Sequence, residues 1–162
     1  MTLRIPIVMV NGQFQQLQSG DSIALPQNSV PYVSLTNGET APIVIGTPVY
    51  VQAAGTVKKA KADAAATADA IGLVMDTSIT NAVAGLIQTE GIVTATTTQW
   101  DAVAGTTGGL TFGTRYYLSD ATAGLLTATP PSTSTHFSLP LGIALNTTEL
   151  KLNVPGVGAV EL

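Results

Sequence analysis

Short runs of apolar residues, separated by residues that favour turns, recur along the whole chain. Examples are "IPIVMV" at 5–10, "AIGLVMD" at 70–76 and "LGIAL" at 141–145. Runs of strand length, bounded by Gly, Pro, Asn and Ser at roughly ten-residue spacing, predict an all-β sandwich or barrel. No apolar run approaches the ~20 residues of a membrane-spanning helix, so we expect no membrane partner.

One pattern of glycine and apolar positions occurs twice. The segment "GTRYYLSDATAGLLTATPP" at 113–131 has a looser copy, "GTPVYVQAAGTVKKAKA", at 46–62. A shift of 67 positions places Gly46, Thr47 and Tyr50 on Gly113, Thr114 and Tyr117, and a shift of 70 places Gly72 on Gly142. Each unit alone would leave strand edges and an apolar face open. We therefore expect one β-domain over 30–162, a small barrel or sandwich built from two related hairpin-plus-strand units at about 35–93 and 102–160.

Residues 1–29 are predicted to form an N-terminal β-arm, either a hairpin or an extended segment. Asn11-Gly12 is a strong signal for a type I′ hairpin turn, and Pro6 restricts its strand to an edge. An isolated hairpin is marginally stable in water, so this one should dock on its own body or on a neighbouring chain. The residues predicted to make that contact are Arg4, Ile5, Pro6, Ile7, Val8, Val10, Phe14 and Leu17.

Two segments raise the question of helix. "TTTQWDAVAG" predicts one short helix near 98–104, capped by Thr98 together with Asp101 and ended by Gly105. The alanine-rich stretch that follows residue 56 favours helix by propensity. Its counterpart in the second unit contains Pro130-Pro131, which argues against a helix there. We therefore expect a strand over 57–62 and a loop over 63–69, with a helix over 63–69 as the alternative.

Composition excludes several kinds of partner. Charged residues make up 10% of the chain, the net charge is −4, and apart from Lys58, Lys59 and Lys61 the cations are scattered. Without a basic face, nucleic-acid binding through phosphates is not expected. The chain has no Cys, which rules out disulfides and thiolate metal sites.

Catalytic chemistry finds little support in the residue pattern. The single histidine, His136, has only Ser132, Ser134 and Ser138 nearby, and a surface or interface role suits it better than a Ser-His-Asp triad. The ten acidic residues are spaced singly, mostly beside turn-forming residues. The glycine-rich "AGTTGGLTFG" is not followed by the Gly-Lys-Ser/Thr of a phosphate-binding loop. We expect no enzyme activity, no cofactor and no metal.

The order of motifs resembles that of tailed-bacteriophage virion proteins. "TTTQWDAVAGTTGGLTFGTRYYLSDATAGLLTATPP" followed by "LPLGIALNTTELKLNV" resembles a module that recurs in those proteins. "RIPIVMVNGQFQQLQSGDSIAL" is similar to the N-terminal segments of phage head-fibre and tail-fibre chains. Residues 41–77 resemble the small β-barrel capsid decoration proteins, through "GTPVYVQAAGTVKKAKADA" and "AIGLVMD".

This resemblance implies a capsid decoration (cement) or head-fibre role. Such a protein would bind the major capsid protein between capsomers, often as a homotrimer, and stabilise the shell. It would lie on the capsid exterior of the virion, which is assembled in the host cytoplasm. The alternative is a tail-fibre adaptor or short receptor-binding protein that contacts a host surface through the loops at 105–113 and 128–138. Tail fibres usually continue into long shafts, so the length of this chain favours the decoration role.

Overall fold

The computed structural model describes residues 31–154 in full and, as backbone strands only, residues 7–10, 13–16 and 160–161. The chain divides into two compact units, Met1–Val30 and Pro31–Leu162, and the second is called the body below. In the first unit, β1 (Ile7–Val10) pairs antiparallel with β2 (Gln13–Gln16), with Val10 opposite Gln13. The hairpin pairing predicted for this segment is therefore present. The predicted turn residues lie outside the described part.

The body is built mainly from short strands, as the alternation of apolar and turn residues predicted. The strands are β3 (Tyr32–Asn37), β4 (Ile43–Val44), β5 (Pro48–Ala53), β6 (Thr56–Lys59), β7 (Ala70–Val74), β8 (Ser78–Ile79), β9 (Ala84–Gln88), β10 (Glu90–Thr94), β11 (Arg115–Leu118), β12 (Leu126–Thr127), β13 (Phe137–Ser138), β14 (Pro140–Ala144), β15 (Glu149–Asn153) and β16 (Val160–Glu161). The helices are α1 (Ala65–Ala68) and α2 (Thr97–Ala104). The all-β fold class is confirmed.

The body contains two halves with the same strand order. In the first half, β3 to β9, five strands form a closed barrel in the order β3-β6-β5-β7-β9, and the parallel pairing of β3 with β6 completes the ring. In the second half, β10 to β15, the order is β10-β15-β14-β11-β12, which corresponds strand by strand to β3-β9-β7-β5-β6, the ring of the first half followed in the other direction. Here β10 and β12 are the two edges of the sheet, and α2 contacts β12.

The register of the pairing matches between the halves residue by residue. Val49 lies opposite Gly72, and its counterpart Tyr116 lies opposite Gly142. In both pairs the register shifts directly after that residue, which marks a β-bulge at the same place. The two halves are therefore structural repeats, as the doubled pattern predicted.

Gly72 and Gly142 occupy positions at which the backbones of paired strands come very close. A Cβ atom on Gly72 would collide with the carbonyl oxygen of Gln88, and a Cβ atom on Gly142 would collide with that of Lys151. Each glycine thus permits the bulged strand to approach its neighbour, which explains its recurrence.

The core consists of two clusters. The smaller one fills the first barrel with branched aliphatic side chains, among them Val49, Val57 and Ile87. The larger cluster lies within the second half and extends across the boundary to Leu73 of the first, and its largest member is Trp100. Hydrophobic burial therefore joins the two halves into one body.

The predicted helix near 98–104 is present as α2, and Gly105 ends it in the left-handed conformation at φ 62°. The predicted cap was wrong. Thr96, not Thr98, caps the helix: the Gln99 amide donates to the Thr96 hydroxyl, and the Gln99 side chain accepts from the Thr96 amide. Asp101 is free for another role because Gln99 completes this capping box.

The segment after β5 also differs from expectation. The strand predicted over 57–62 runs over Thr56–Lys59, and the predicted loop over 63–69 contains the single helical turn α1. The Ala68 amide donates to the Ala64 carbonyl, and the Thr67 hydroxyl donates to the Lys61 carbonyl. The prolines of the second unit gave no guidance here because the repeat does not extend through this connection.

The predicted boundaries of the repeats, about 35–93 and 102–160, differ from those of the structure. The sequence predicted one further strand over 84–93 at the end of the first unit, but the structure has two strands there, β9 and β10. The second of them, β10, pairs with β15 as β3 pairs with β9. The second half therefore begins at β10, before α2.

Candidate functional site

The only histidine of the sequence lies within hydrogen-bonding distance of a carboxylate in the second half. Nδ1 of His136 lies 3.0 Å from Oδ2 of Asp120, and both side chains are largely shielded from solvent. Within residues 31–154, no hydrogen bond joins His136 to Ser132, Ser134 or Ser138. Among the described residues there is also no group of three or more His, Cys, Asp or Glu side chains that could hold a metal ion.

Several carboxylates accept hydrogen bonds from the backbone. Oε1 of Glu39 accepts from the amide of Lys59 at 3.0 Å, and Oδ2 of Asp76 accepts from the amide of Leu86 at 2.9 Å. Both acids thereby satisfy strand amides that their own sheet leaves unpaired. These hydrogen bonds to backbone amides give Glu39 and Asp76 a structural role.

Asp101 organises the glycine-rich loop that follows α2. Its carboxylate accepts from the amides of Gly109 at 2.8 Å and Gly108 at 3.0 Å, and from the hydroxyl of Thr106 at 2.9 Å. The Gly109 amide above all, together with the other two donors, lowers the pKa of Asp101 below its ordinary value of 3.8. The amides of Gly108 and Gly109, which a phosphate-binding loop would offer to its ligand, thus donate to the Asp101 carboxylate instead.

A second carboxylate is stabilised by a neighbouring cation. Oδ2 of Asp63 lies 2.6 Å from Nζ of Lys61, and the Thr67 hydroxyl is also within hydrogen-bonding reach. The hydrogen bond with Lys61 lowers the pKa of Asp63. The pair lies at the base of α1 and links that turn to the end of the first barrel.

The most informative surface emerges when equivalent positions of the two halves are compared. In the first half, a row across neighbouring strands carries Pro48, Leu73 and Gln88, and all three are buried. Leu73 belongs to the cluster that spans both halves. The side-chain amide of Gln88 donates to the carbonyls of Glu90 and Ile92. The second half and its leading strand therefore cover this outer face of the first half.

The equivalent row of the second half is open. It carries Arg115, Ile143 and Lys151, with Ile92 on the next strand, and all four side chains are exposed. Phe112, which is 77% exposed, precedes Arg115 by three residues and occupies the position that corresponds to buried Ile45. We define Phe112, Arg115, Ile143, Lys151 and Ile92 as the open face. A shallow depression of about 50 Å³ lies on it, lined by Arg115, Pro140, Gly142, Ile143 and Asn153.

A second surface differs between the halves in the same way. At the tip of the β5–β6 hairpin, residues 51–55 are all exposed, and Val51 is 49% exposed. In the second half the equivalent residues Leu118 and Gly124 are buried. There the Gly124 amide donates to the carbonyl of Ala60 in the first half at 2.8 Å. The hairpin tip of the second half thus packs on the first half, while that of the first half makes no such contact within residues 31–154.

The predicted contact residues of the arm lie mostly outside the detailed description. Arg4, Ile5, Pro6 and Leu17 are outside the described residues. Ile7, Val8 and Val10 belong to β1 and Phe14 to β2, and their backbone pairing is all that is described. Their role as a contact surface stays a prediction.

The open face was missed at the level of sequence, although a signal was present. Aligning the two copies shows Arg115 where the first has Pro48, and Lys151 where it has Gln88. A change from uncharged to charged at equivalent positions of a repeat indicates a different degree of burial. The alignment alone did not show that β11 and β15, which carry Arg115 and Lys151, belong to one sheet and present these two residues on the same face.

Comparison with known protein families, with curated proteins and with solved structures finds no match to this chain. Neither helix in the described part of the chain combines the length and apolar character needed to cross a bilayer.

Proposed function

We propose that this chain is a structural virion protein of a tailed bacteriophage that decorates the capsid exterior. It binds the major capsid protein between capsomers, acts as a homotrimer and stabilises the shell, which is assembled in the host cytoplasm. The observation that carries the proposal is the division of the chain into an N-terminal arm, in which β1 pairs with β2, and a separate β-body. This arm is called the leader below. The motif order described above is the second support.

Attachment follows from the strand pairing of the leader. Each strand of a two-stranded sheet has one edge whose amide and carbonyl groups are available to another chain. Adding a strand of the major capsid protein, or of a neighbouring copy, at such an edge supplies affinity through backbone hydrogen bonds. Because a capsid offers many identical sites, bivalent or trivalent attachment strengthens a weak individual contact.

The body serves as an inert block in this proposal. Its carboxylates at Glu39, Asp76 and Asp101 bind backbone amides, which suits structural groups better than catalytic ones. We propose no enzyme activity, no cofactor, no nucleic-acid partner and no membrane partner. The small charged fraction of the chain, 10%, limits the cost of desolvating the surfaces that meet the shell.

Deletion of residues 1–26 tests the role of the leader. The truncated chain should keep a cooperative thermal unfolding transition and lose binding to capsids that lack the protein. Met75→Ser in the full chain, which changes an exposed side chain of the body, is the control and should bind normally. Sedimentation of shells with bound protein measures both. A truncated chain that still decorates shells would contradict the role of the leader.

One observation supports the alternative of a tail-fibre adaptor or short receptor-binding protein. Phe112 is 77% exposed in the loop at 105–113, and exposed aromatic residues are common in recognition surfaces. Electron microscopy of virions labelled on this chain separates the two roles. Label on the head supports decoration, and label on the tail supports the alternative.

A further inference from the structure

We propose that copies of this chain associate head to tail, with the β5–β6 hairpin tip of one copy docking on the open face of the next. The inference does not depend on the virion role and goes beyond the homotrimer, because it assigns the two surfaces that meet. It rests on the way in which the two halves of a single chain already pack together.

The intramolecular contact joins two different surfaces. The hairpin tip of the second half, at Gly124, packs against Ala60 of the first half, and Leu118 beside the tip shares a buried cluster with Leu73 of the outer face. A Cβ atom on Gly124 would lie within about 3 Å of Lys59 and Thr47, both in the first half. A contact between unlike surfaces of two repeats is heterologous: it leaves one unused surface of each kind.

Both unused surfaces are exposed in this chain. The first half presents its hairpin tip, where Val51 stands at the position of buried Leu118 and Gly55 has open space around it. The second half presents the open face, where Ile143 stands at the position of buried Leu73. Each half thus repeats, with exposed side chains, the surface that its partner half uses in the contact between them, as far as residues 31–154 describe it.

The substitutions on the unused surfaces are complementary in charge. Next to the hairpin tip of the second half lies buried Leu139, whose carbonyl accepts from the Leu118 amide. Its counterpart in the first half is the exposed acid Asp69. On the open face, Lys151 and Arg115 replace uncharged residues of the buried row. The hairpin itself carries Lys58 and Lys59, so the complementary pair lies between Asp69, beside the tip, and Lys151 or Arg115 of the next copy; this pairing favours one orientation of the contact.

Helix α2 belongs to the second half alone. When the first half of one copy docks on the open face of the next, it therefore supplies no helix equivalent to α2. In the first half, Trp100 and Val103 of α2 cover Gly46. On the open face the equivalent Gly113 is uncovered, and beside it the larger Phe112 replaces Ile45. The exposed Phe112 ring supplies apolar area at the place where α2 would otherwise contribute it.

Cysteine cross-linking tests the contact directly because the full chain has no natural Cys. Two full-length chains with different tags, one carrying Val51→Cys and the other Ile143→Cys, are co-expressed and oxidised. We expect a covalent dimer that carries both tags, whereas each variant expressed alone should stay uncross-linked. Pairing Met75→Cys with Ile143→Cys is the control, because Met75 is also exposed but lies at the other end of β7 from Asp69. This control pair should not cross-link.

A charge exchange tests the orientation. Lys151→Glu, placed in the Ile143→Cys chain, should reduce the yield of mixed dimer. Asp69→Lys in the Val51→Cys chain should restore it. If Asp69→Lys does not restore the yield, Asp69 of one copy does not face Lys151 of the next, and the proposed orientation is wrong.

Three results would show that the open face is not occupied by the hairpin tip of another copy, and each would overturn the proposal. Cross-linking of Val51→Cys or Ile143→Cys with itself would indicate an isologous dimer. A full chain that is monomeric in solution, with no mixed dimer, would show that no second copy binds there. An intrachain cross-link between Ile143→Cys and Val8→Cys in such a monomer would identify the leader as the occupant.

Discussion

The indole Nε1 of Trp100 lies 2.9 Å from the backbone carbonyl oxygen of Thr148, and this hydrogen bond ties α2 to the turn that precedes β15. The same ring is completely buried and approaches Gly46 of the first half. Trp100 therefore connects a helix, the second sheet and the first barrel at one point. Its loss should affect the whole body.

Trp100→Ala should lower the free energy of unfolding by about 3–5 kcal/mol, because it removes the largest side chain of the core that spans the halves. Trp100→Phe keeps most of the packing and removes the hydrogen bond to Thr148, so it should cost less. Urea unfolding followed by circular dichroism measures both variants. Equal losses for Ala and Phe would show that packing against Gly46 contributes little.

Gly72→Ala should destabilise the body by about 3 kcal/mol or more, because the new methyl group collides with the carbonyl of Gln88 on the paired strand. Gly142→Ala should behave alike through Lys151. Gly55→Ala is the matched control: its φ of 70° is unfavourable for alanine, but the space around it is open, which limits the cost to about 1–2 kcal/mol. Equilibrium unfolding ranks the three variants, and a cost for Gly72→Ala no greater than that for Gly55→Ala would argue against the close approach.

Tyr116→Phe should cost about 1 kcal/mol. The hydroxyl of Tyr116 accepts from the amide of Thr111 at 3.0 Å, and the ring is fully buried. Tyr117→Phe is the control, since Tyr117 is half-buried and its hydroxyl has no hydrogen-bond partner within residues 31–154. It should unfold within about 0.5 kcal/mol of the parent. Identical midpoints for the two variants in a thermal melt would show that the hydroxyl of Tyr116 does not stabilise the fold.

Asp101→Asn should lower the unfolding temperature at neutral pH and reduce its decline in acid. The pKa of Asp101 in the folded chain lies below its ordinary value of 3.8, so its stabilising effect is present above that value and is lost as the pH falls through the lowered folded pKa. Melting temperatures measured from neutral pH down through this range test the expectation. Asp69→Asn, which removes one exposed charge, controls for net charge. The same acid dependence in parent and Asp101→Asn chains would contradict the role of the loop amides.

The all-β class and the doubling could be predicted because both depend on local, repeated signals. Gly46 and Gly113 mark the same turn before β5 and β11, with φ 80° and 73°, and glycine is favoured at such angles. Gly72 and Gly142 were matched through the similar strand segments "AIGLVMDT" and "LGIALNT" that contain them. Helix α2 was found because its stop signal, Gly105, is also local.

The errors had two different causes. Thr98 was chosen as the cap although Gln99, three residues after Thr96, completes a capping box with Thr96, so the deciding signal was local and was overlooked. By contrast, β10 was assigned to the first unit because a strand signal does not state which strand it will pair with. Pairing with β15 placed it in the second half.

By itself, the sequence of this protein determined its strand-forming runs, its turns and the repetition of one unit, because apolar spacing and glycine requirements are properties of short segments. Only the tertiary structure decided which copy of a shared surface is buried. Leu73 and Ile143 are similar apolar residues at equivalent positions, yet Leu73 is fully buried and Ile143 is 39% exposed. The difference arises because two unlike surfaces of a repeat can meet only once within a chain of two units, which leaves the open face without a covering half.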